Sequence, residues 1–406
     1  MQILIAGGGI GGLTAALALR RAGLDAHVYE QASTLREVGA GVQTAPNAVK
    51  VLHGLGLAEP LAEVAVVPLS TDSRDWQTGE MLGRVPLADA ALARYNAPYY
   101  HLHRADLHDV LRAGLGDAHI TLGARCVGVD QDHDRVTLRF ANGRSAAGDV
   151  LIGADGVHSV VRDYVAGPDK AVWSRQIAWR GLAPAEVGHK IGLEPRSHSF
   201  WGPRRQFVTY YVSAGRLVNW VGNMQTDGDW REESWSARGY PDEVLAEYAG
   251  WHPQVRALIE NTTEVYKWAL YDRAPLAGWT RGRVTLLGDA AHAMLPYLAQ
   301  GAGQSIEDAY VLAAFLERHR DDPELALRSY VTLRHDRTAA MQVGSREAGR
   351  TMHLADPDAV RVRNERMRGD PAAHVARYDW IYGYDVNEAL AVPDIVQSSS
   401  IFCGPG

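Results

Sequence analysis

Gly7, Gly9 and Gly12 stand in the G-x-G-x-x-G spacing, with Gly8 and Gly11 in the gaps, and an acid, Glu30, follows downstream. In such a turn the first glycine permits a tight bend. The second lets a pyrophosphate approach the backbone, and the third lets a helix pack closely on a strand. Glu30 is placed to accept hydrogen bonds from a ribose diol. Glycine-rich turns also arise for packing alone. The setting between strand and helix, with the acid in register, favours dinucleotide binding.

Two further clusters have the same form. Asp155, Gly156, Ser159 and Arg162 follow the apolar run Asp149 to Gly153 and open a helix, which makes either a second ligand contact or a tight structural turn. Gly288 and Asp289 end the run Val284 to Leu287, and Gly301 to Gly303 open a long helix running past Leu316. A strand end and a helix N-terminus again converge, with a carboxylate, a proline (Pro296) and open backbone N–H groups. Arg104 heads the helical stretch His103 to Gly116, where a positive charge opposes the helix dipole. A nearby anion and plain solvation both account for it. The loop Gly39 to Gln43 reads either as a segment along a ligand or as a lead-in to the helix near Pro46.

The elements that must carry these groups follow from apolar periodicity. Gln2 to Ala6 reads as a strand, Ile10 to Ala22 as a helix and Ala26 to Tyr29 as a parallel strand. Val66 to Tyr100 reads as extended structure with a turn at Gln77 to Gly79, and Cys126 to Phe140 as a hairpin pair. From Ser174 to Gly222 short alternating strands rich in Trp, Tyr and Val predict a sheet with one face free to cover a pocket. Trp201, Phe207, Tyr210, Tyr211 and Trp220 make its aromatic face, which serves as core or as pocket. A helix at Asp242 to Tyr248, a strand at Val265 to Asp272 and a helix from about Glu324 to Leu354 complete the pattern.

The whole chain narrows the class. Its 406 residues exceed the roughly 250 to 300 that one core holds, so two subdomains are expected. Hydrophobic residues at 46% and charged residues at 22% give a globular composition. A net charge of −7 without a basic run disfavours nucleic acid and anionic membranes as partners. Ile3 to Leu19 is largely uncharged, but its five glycines and the lack of preceding basic residues argue against a signal or a span. Two cysteines, Cys126 and Cys403, offer no disulfide framework and fit a cytoplasmic location. His101, His103 and His108 lack metal-ligand spacing, so no metal is expected.

Taken together, the three clusters resemble the single-component flavoprotein aromatic hydroxylases, closest to the salicylate hydroxylase and 3-hydroxybenzoate 6-hydroxylase branch. GDAAHAMLPYLAQGAGQSIEDA, YDWIYGYD and LREVGAGVQTAPNA sharpen the resemblance, which extends to about Asp385. It implies an α/β fold: a Rossmann-like FAD-binding domain (1–70, 101–172 and 276–350), a mixed antiparallel-sheet substrate domain (71–100 and 173–275), and C-terminal helices with a tail (351–406). By the resemblance Gly7, Gly9, Gly12 and Glu30 hold the ADP half of FAD. Asp155 and Gly156 form the D-G motif tied to FAD and nicotinamide, and Gly288 and Asp289 the G-D motif. Arg36 and Arg104 lie near the ribose and phosphates, Pro296 near the flavin C4a, and Gly301, Ala302 and Gly303 along the isoalloxazine edge. His292 is given a structural role.

The implied reaction is hydroxylation of a phenolic ring by NAD(P)H and O2 through a flavin C4a-hydroperoxide, in a monomer or homodimer. With no second G-x-G-x-x-G after a strand, the nicotinamide visits transiently. The substrate pocket is expected to use Trp201, Tyr210 and Trp220. Related hydroxylases often carry a histidine where this chain has Gln206, with Tyr210 retained, and glutamine cannot serve as a base. Arg204 and Arg205 either bind a substrate carboxylate or face solvent. Decarboxylating hydroxylation, or an epoxidase or reductase of the same fold, are the alternatives.

Overall fold

The computed structural model describes residues 1–34, 40–232 and 237–391. Among these, a six-stranded sheet runs in the order Thr280–Arg281, Val284–Leu286, Val150–Gly153, Gln2–Ala6, Asp25–Tyr29, Ile120–Thr121. All its pairings are parallel except the outer Thr280–Arg281 edge. Ile3, Leu4 and Ile5 are fully buried at its centre, because a parallel strand covered on both faces has no polar side to present. The helices Ile10–Arg21 and Gly301–Arg318 pack together in the same core, joined by the meander Cys126–Gln131, Val136–Phe140, Ser145–Gly148. This layering is the Rossmann-like arrangement of strand and helix expected around the dinucleotide turn.

A second sheet of eight strands is mixed. Its order is Arg238–Gly239, Val265–Asp272, Val172–Pro184, Leu217–Gln225, Arg205–Val212, Ser197–Gly202, Ser70–Asp75, Met81–Pro86. Only Ser197–Gly202 and Ser70–Asp75 pair in parallel. Its back face is closed by the helices Pro241–Glu247 and Pro253–Glu260 over Trp179, Phe207, Trp220 and Tyr248. Its front face roofs a cleft above the first sheet. Side chains alternate across a strand, so each strand supplies one residue to the back core and the next to the cleft.

One stretch departs from expectation. Within Val66 to Tyr100 the strands Ser70–Asp75 and Met81–Pro86 are extended, but Asp89–Tyr95 is a helix. Asp89 in its first turn suits the dipole, Ala91 and Tyr95 bury one turn apart, and Asn96 ends it in the left-handed conformation. Seven residues give too few turns for the period to show. Helix Pro323–Met352 runs behind Gly301–Arg318, and Pro357–Gly369 and Pro371–Ala376 lie against the sheet edge at Met81–Pro86. The tail from Ser398 onward lies outside the described residues. Among the described residues no helix is long and apolar enough to cross a membrane.

Candidate active site

Two helix N-termini and one exposed carboxylate converge on the floor of the cleft. Helix Ile10–Arg21 starts after Gly9 and helix Gly301–Arg318 after Gln300, and neither has an acid in its first turn. Their dipoles therefore point uncompensated positive ends toward the cleft lining at Gly9, Gly11, Gly301 and Ala302. A Cβ at Gly9 would meet nothing within 4 Å, so a ligand can lie against its backbone. At Gly7 a Cβ would fall 2.3 Å from the Ala154 carbonyl oxygen, and at Gly12 it would fall 2.0 Å from that of Gly7. These two glycines thus serve strand and helix packing. Asp289 is exposed into the cleft between buried neighbours, and Arg104 lines it nearby. Donors for phosphates at two helix ends and an acceptor for hydroxyls at Asp289 suit an FAD.

Several other expected cofactor residues also make bonds within the chain. Glu30 accepts the Gly8 N–H at 2.7 Å and the Ala32 N–H at 2.8 Å, tying the glycine turn to the second strand. Asp155 accepts hydrogen bonds from the Ser159 hydroxyl and from the Val160 and Val161 N–H groups, so it caps the helix Val160–Ala166. Burial raises its pKa, against those hydrogen bonds. Gly156, at φ +79°, carries the D-G turn to the cleft wall. The buried Arg162 guanidinium donates to the Ala290 and Ala291 carbonyls at 3.0 Å, binding the D-G turn to the G-D turn. Gly303 packs toward Gln300, Ala48 and Asn47 rather than the cleft. Arg36 lies outside the described residues.

Behind the floor sits a buried ionic network that the sequence reading does not identify. Arg334 donates to Asp308 at 2.7 Å and pairs with Glu307, all three fully buried, and Arg337 adds a second bond to Glu307. Asp308 accepts the Gly288 N–H at 3.1 Å and meets His292 at 2.6 Å. Burial alone raises Asp308, but His292 and Arg334 outweigh it and hold the carboxyl at about 2. Gly288 sits at φ +62°, and a Cβ there would meet the Ser305 hydroxyl at 2.5 Å. His292 is thus a buried structural partner of Asp308. The readable signal was two adjacent acids inside the apolar helix run SIEDAYVL, which demands cations from elsewhere.

The roof is built from rows across the second sheet. One row runs Trp268, Ala178, Asn223, Gln206, Trp201, and the neighbouring row Arg180, Val221, Val208, Ser199. Gln206 donates to the Ser199 hydroxyl at 2.8 Å and accepts from Asn223 at 3.2 Å, while the Trp201 indole donates to the same hydroxyl at 2.7 Å. Tyr210 lines the cleft with its ring 4.3 Å from that of His101, and burial raises its pKa against a hydrogen bond from Gln43. Gln43 also accepts the Tyr99 hydroxyl at 2.7 Å. The backbone approaches Tyr210 closely at Gly41, where a Cβ would fall 2.6 Å from its ring. Burial lowers the His101 pKa to about 3, so this histidine beside Tyr210 stays neutral. Pro296 is exposed on the opposite lip, and Tyr378 and Tyr382 close the far wall.

One expectation for the roof is corrected, and one open alternative is decided. Trp220 belongs to the back core: its ring stacks 5.4 Å from Phe207 and its indole donates to Thr262 at 2.8 Å. It alternates with Asn219 and Val221, so the pleat turns it away from the cleft. Arg204 pairs with Asp227 at 2.8 Å near the surface, and Arg205 pairs with Glu247 at 2.6 Å. Neither lines the cleft; Arg180 does.

Residues 1–345 match the model of a family described as an FAD binding domain. The chain is 41% identical over 384 residues to a 3-amino-4-hydroxybenzoate 2-monooxygenase of Streptomyces platensis, covering 95% of this chain and 96% of that one. The chain belongs to the FAD-dependent aromatic monooxygenases. A 3-hydroxybenzoate 6-hydroxylase of Polaromonas naphthalenivorans is 36% identical, over 96% of this chain and 98% of its own. Among solved structures, Klebsiella pneumoniae HpxO complexed with FAD and uric acid superposes with a TM-score of 0.85 at 27% identity. That match covers 94% of this flavoprotein and 96% of the other chain. Among the described residues no group of His, Cys, Asp and Glu could hold a metal.

Proposed function

We propose that this flavoprotein hydroxylates a phenolic benzoate-like ring, with NAD(P)H as reductant and O2 as the oxygen source. One observation carries the reading: a nearly charge-free polar roof, Gln206, Ser199, Asn223 and Tyr210, faces the Pro296 lip and the start of helix Gly301–Arg318 across one cleft. The relatives are named for amino-hydroxybenzoate and hydroxybenzoate hydroxylation, which supplies the substrate class. Bound FAD would supply the redox chemistry and the activation of oxygen. Gly9, Arg104, Asp289, Gly301 and Ala302 would hold it.

The chain's own residues position the ring. Gln206 has both amide ends engaged and no titratable proton, so it orients a ring substituent without acting as a base. Tyr210 reaches a ring oxygen, and its own oxygen is held by Gln43, which in turn accepts the Tyr99 hydroxyl. The amide of Gln43 cannot pass a proton on, so the substrate enters as the phenolate or gives its proton to water. Trp201 and the wall of Tyr378 and Tyr382 exclude water from the ring.

The test is a panel of phenolic acids that includes 3-amino-4-hydroxybenzoate and 3-hydroxybenzoate. It is scored for stimulated NAD(P)H consumption and for product mass. A gain of one oxygen supports hydroxylation, and loss of carbon dioxide with that gain marks the decarboxylating alternative. FAD-loaded protein that oxidises NAD(P)H with none of them refutes the proposal.

A further inference from the structure

Gly7 and Gly12 are held by packing, but the two peptide units that meet at Gly8 lie between glycines. Such a unit rotates at little steric cost, so its direction must be set from outside. The Gly7–Gly8 unit is set by Glu30, which accepts the Gly8 N–H at 2.7 Å. The Gly8–Gly9 unit is set by a residue far along the chain: His108 Nε2 donates to the Gly8 carbonyl at 2.7 Å. A carbonyl only accepts, so the imidazole carries a proton on Nε2. His108 is 3% exposed on the helix Arg104–Leu115, which Leu107, Leu111 and Leu115 anchor in the same core as the first strand. Arg104, one turn earlier on that helix, lines the cleft.

The consequence lies on the other side of the peptide plane. Among the described residues no peptide bond is cis, and in a trans unit the C=O and the N–H point in opposite directions. Holding the Gly8 oxygen toward His108 therefore aims the Gly9 N–H away from it. Gly9 caps the helix Ile10–Arg21, so that N–H has no partner within the helix. Gly9 also lines the cleft, with nothing of the chain within 4 Å of an added Cβ. The helix dipole favours an anion at that point.

We propose that His108 is the positioning residue for the phosphate-facing N–H of Gly9, and so sets the affinity for the ADP half of FAD without touching it. The proposal rests on the placement of FAD against Gly9. The test compares FAD dissociation constants, read from the flavin fluorescence released on dilution of the loaded full chain, for wild type, His108→Leu, His108→Gln and Gly9→Ala. His108→Leu keeps an apolar side chain there, loses the donor and is expected to bind FAD about tenfold more weakly. His108→Gln puts an amide donor at nearly the reach of Nε2 and is expected to recover most of that loss. ADP, added as a competitor of FAD, is expected to weaken by the same factor, since the turn meets only that half. Equal FAD affinity in wild type and His108→Leu overturns the proposal, as does a His108→Gln variant as weak as His108→Leu, or FAD weakened with ADP unchanged. If His108→Leu fails to fold, His108→Asn, an amide too short to reach Gly8, is compared with His108→Gln under the same outcomes. Gly9→Ala is expected to weaken FAD as well. FAD held unchanged by Gly9→Ala removes the placement against Gly9, whereas loss there with equal affinity across the His108 series removes only the role of His108.

Discussion

The roof of the cleft and the network behind its floor are both polar and both buried, yet they are built on opposite electrostatic plans. The roof uses neutral amides and hydroxyls with the uncharged His101 at its edge, and Arg180 is its one charge among the described lining residues. The network uses full charges, Glu307, Asp308 and Arg334, saturated by one another and by Arg337, His292 and Asn47. The difference follows from what each must hold. A turn at positive φ such as Gly288 needs a fixed acceptor for its N–H, and a charged carboxylate locked by Arg334 and His292 supplies it. A pocket for an exchanging aromatic ring needs directional groups whose desolvation costs little when the ring leaves.

The network links to the cleft directly. Gln304 accepts from Arg334 at 2.7 Å and donates to Gln300 at 3.1 Å, and Gln300 lines the cleft just before helix Gly301–Arg318. Asn47 donates to Glu307 and Gln300, so the helix Pro46–Gly54 joins the same assembly. The floor is thus positioned by charges that never meet the substrate.

The strongest way to break this contrast is Arg334→Met. It leaves Glu307 and Asp308 buried without their shared cation and is expected to cost about 3–5 kcal/mol, with loss of FAD retention. Thermal unfolding with and without added FAD measures it, and a melting point near wild type would show that the network is dispensable. A pair of single changes separates the two faces of the sheet. Tyr210→Phe is expected to lower turnover by about a hundredfold and change its pH dependence, at a stability cost of about 1 kcal/mol. Trp220→Phe is expected to cost about 1–3 kcal/mol of stability while turnover per bound flavin stays unchanged. Turnover lost equally in both would erase the distinction between cleft face and core face.

The smallest effect is a difference in pH windows. Burial holds His101 near 3 and His198 near 4, below the ordinary 6.5, so the unfolded chain binds protons that the folded one refuses. Their contribution is complete above pH 6.5 and declines as pH falls toward 3 to 4. Asp308, held at about 2 against an ordinary 3.8, keeps its contribution until the pH falls below about 4 and loses it through about 2. Urea midpoints measured down this range should fall first with the histidine window. His101→Gln should flatten that early decline, and an unchanged slope would remove His101 from the account.

Much of the cofactor floor is legible in the chain because it is local. A glycine that must sit under a carbonyl, as Gly7 does beneath Ala154, or adopt positive φ, as Gly288 does, leaves its mark at its own position. The roof is less legible because a pleated strand hides its facing. Trp220 and Tyr210 are both aromatic residues of neighbouring strands, and only the register sends one to the core and the other to the cleft. For Arg204 and Arg205 the choice between an anion site and solvent turns on their partners Asp227 and Glu247, which the chain order does not show.

By itself, then, the sequence determined the dinucleotide turn, the order of strand and helix around it, and the acid at Asp289, since each depends on the conformational reach of a few adjacent residues. The tertiary structure decided which polar side chains face the cleft and which charges neutralise one another across the chain, as Arg334 does for Asp308 and Glu307. Those outcomes depend on pleat, register and burial, which arise only when distant segments pack.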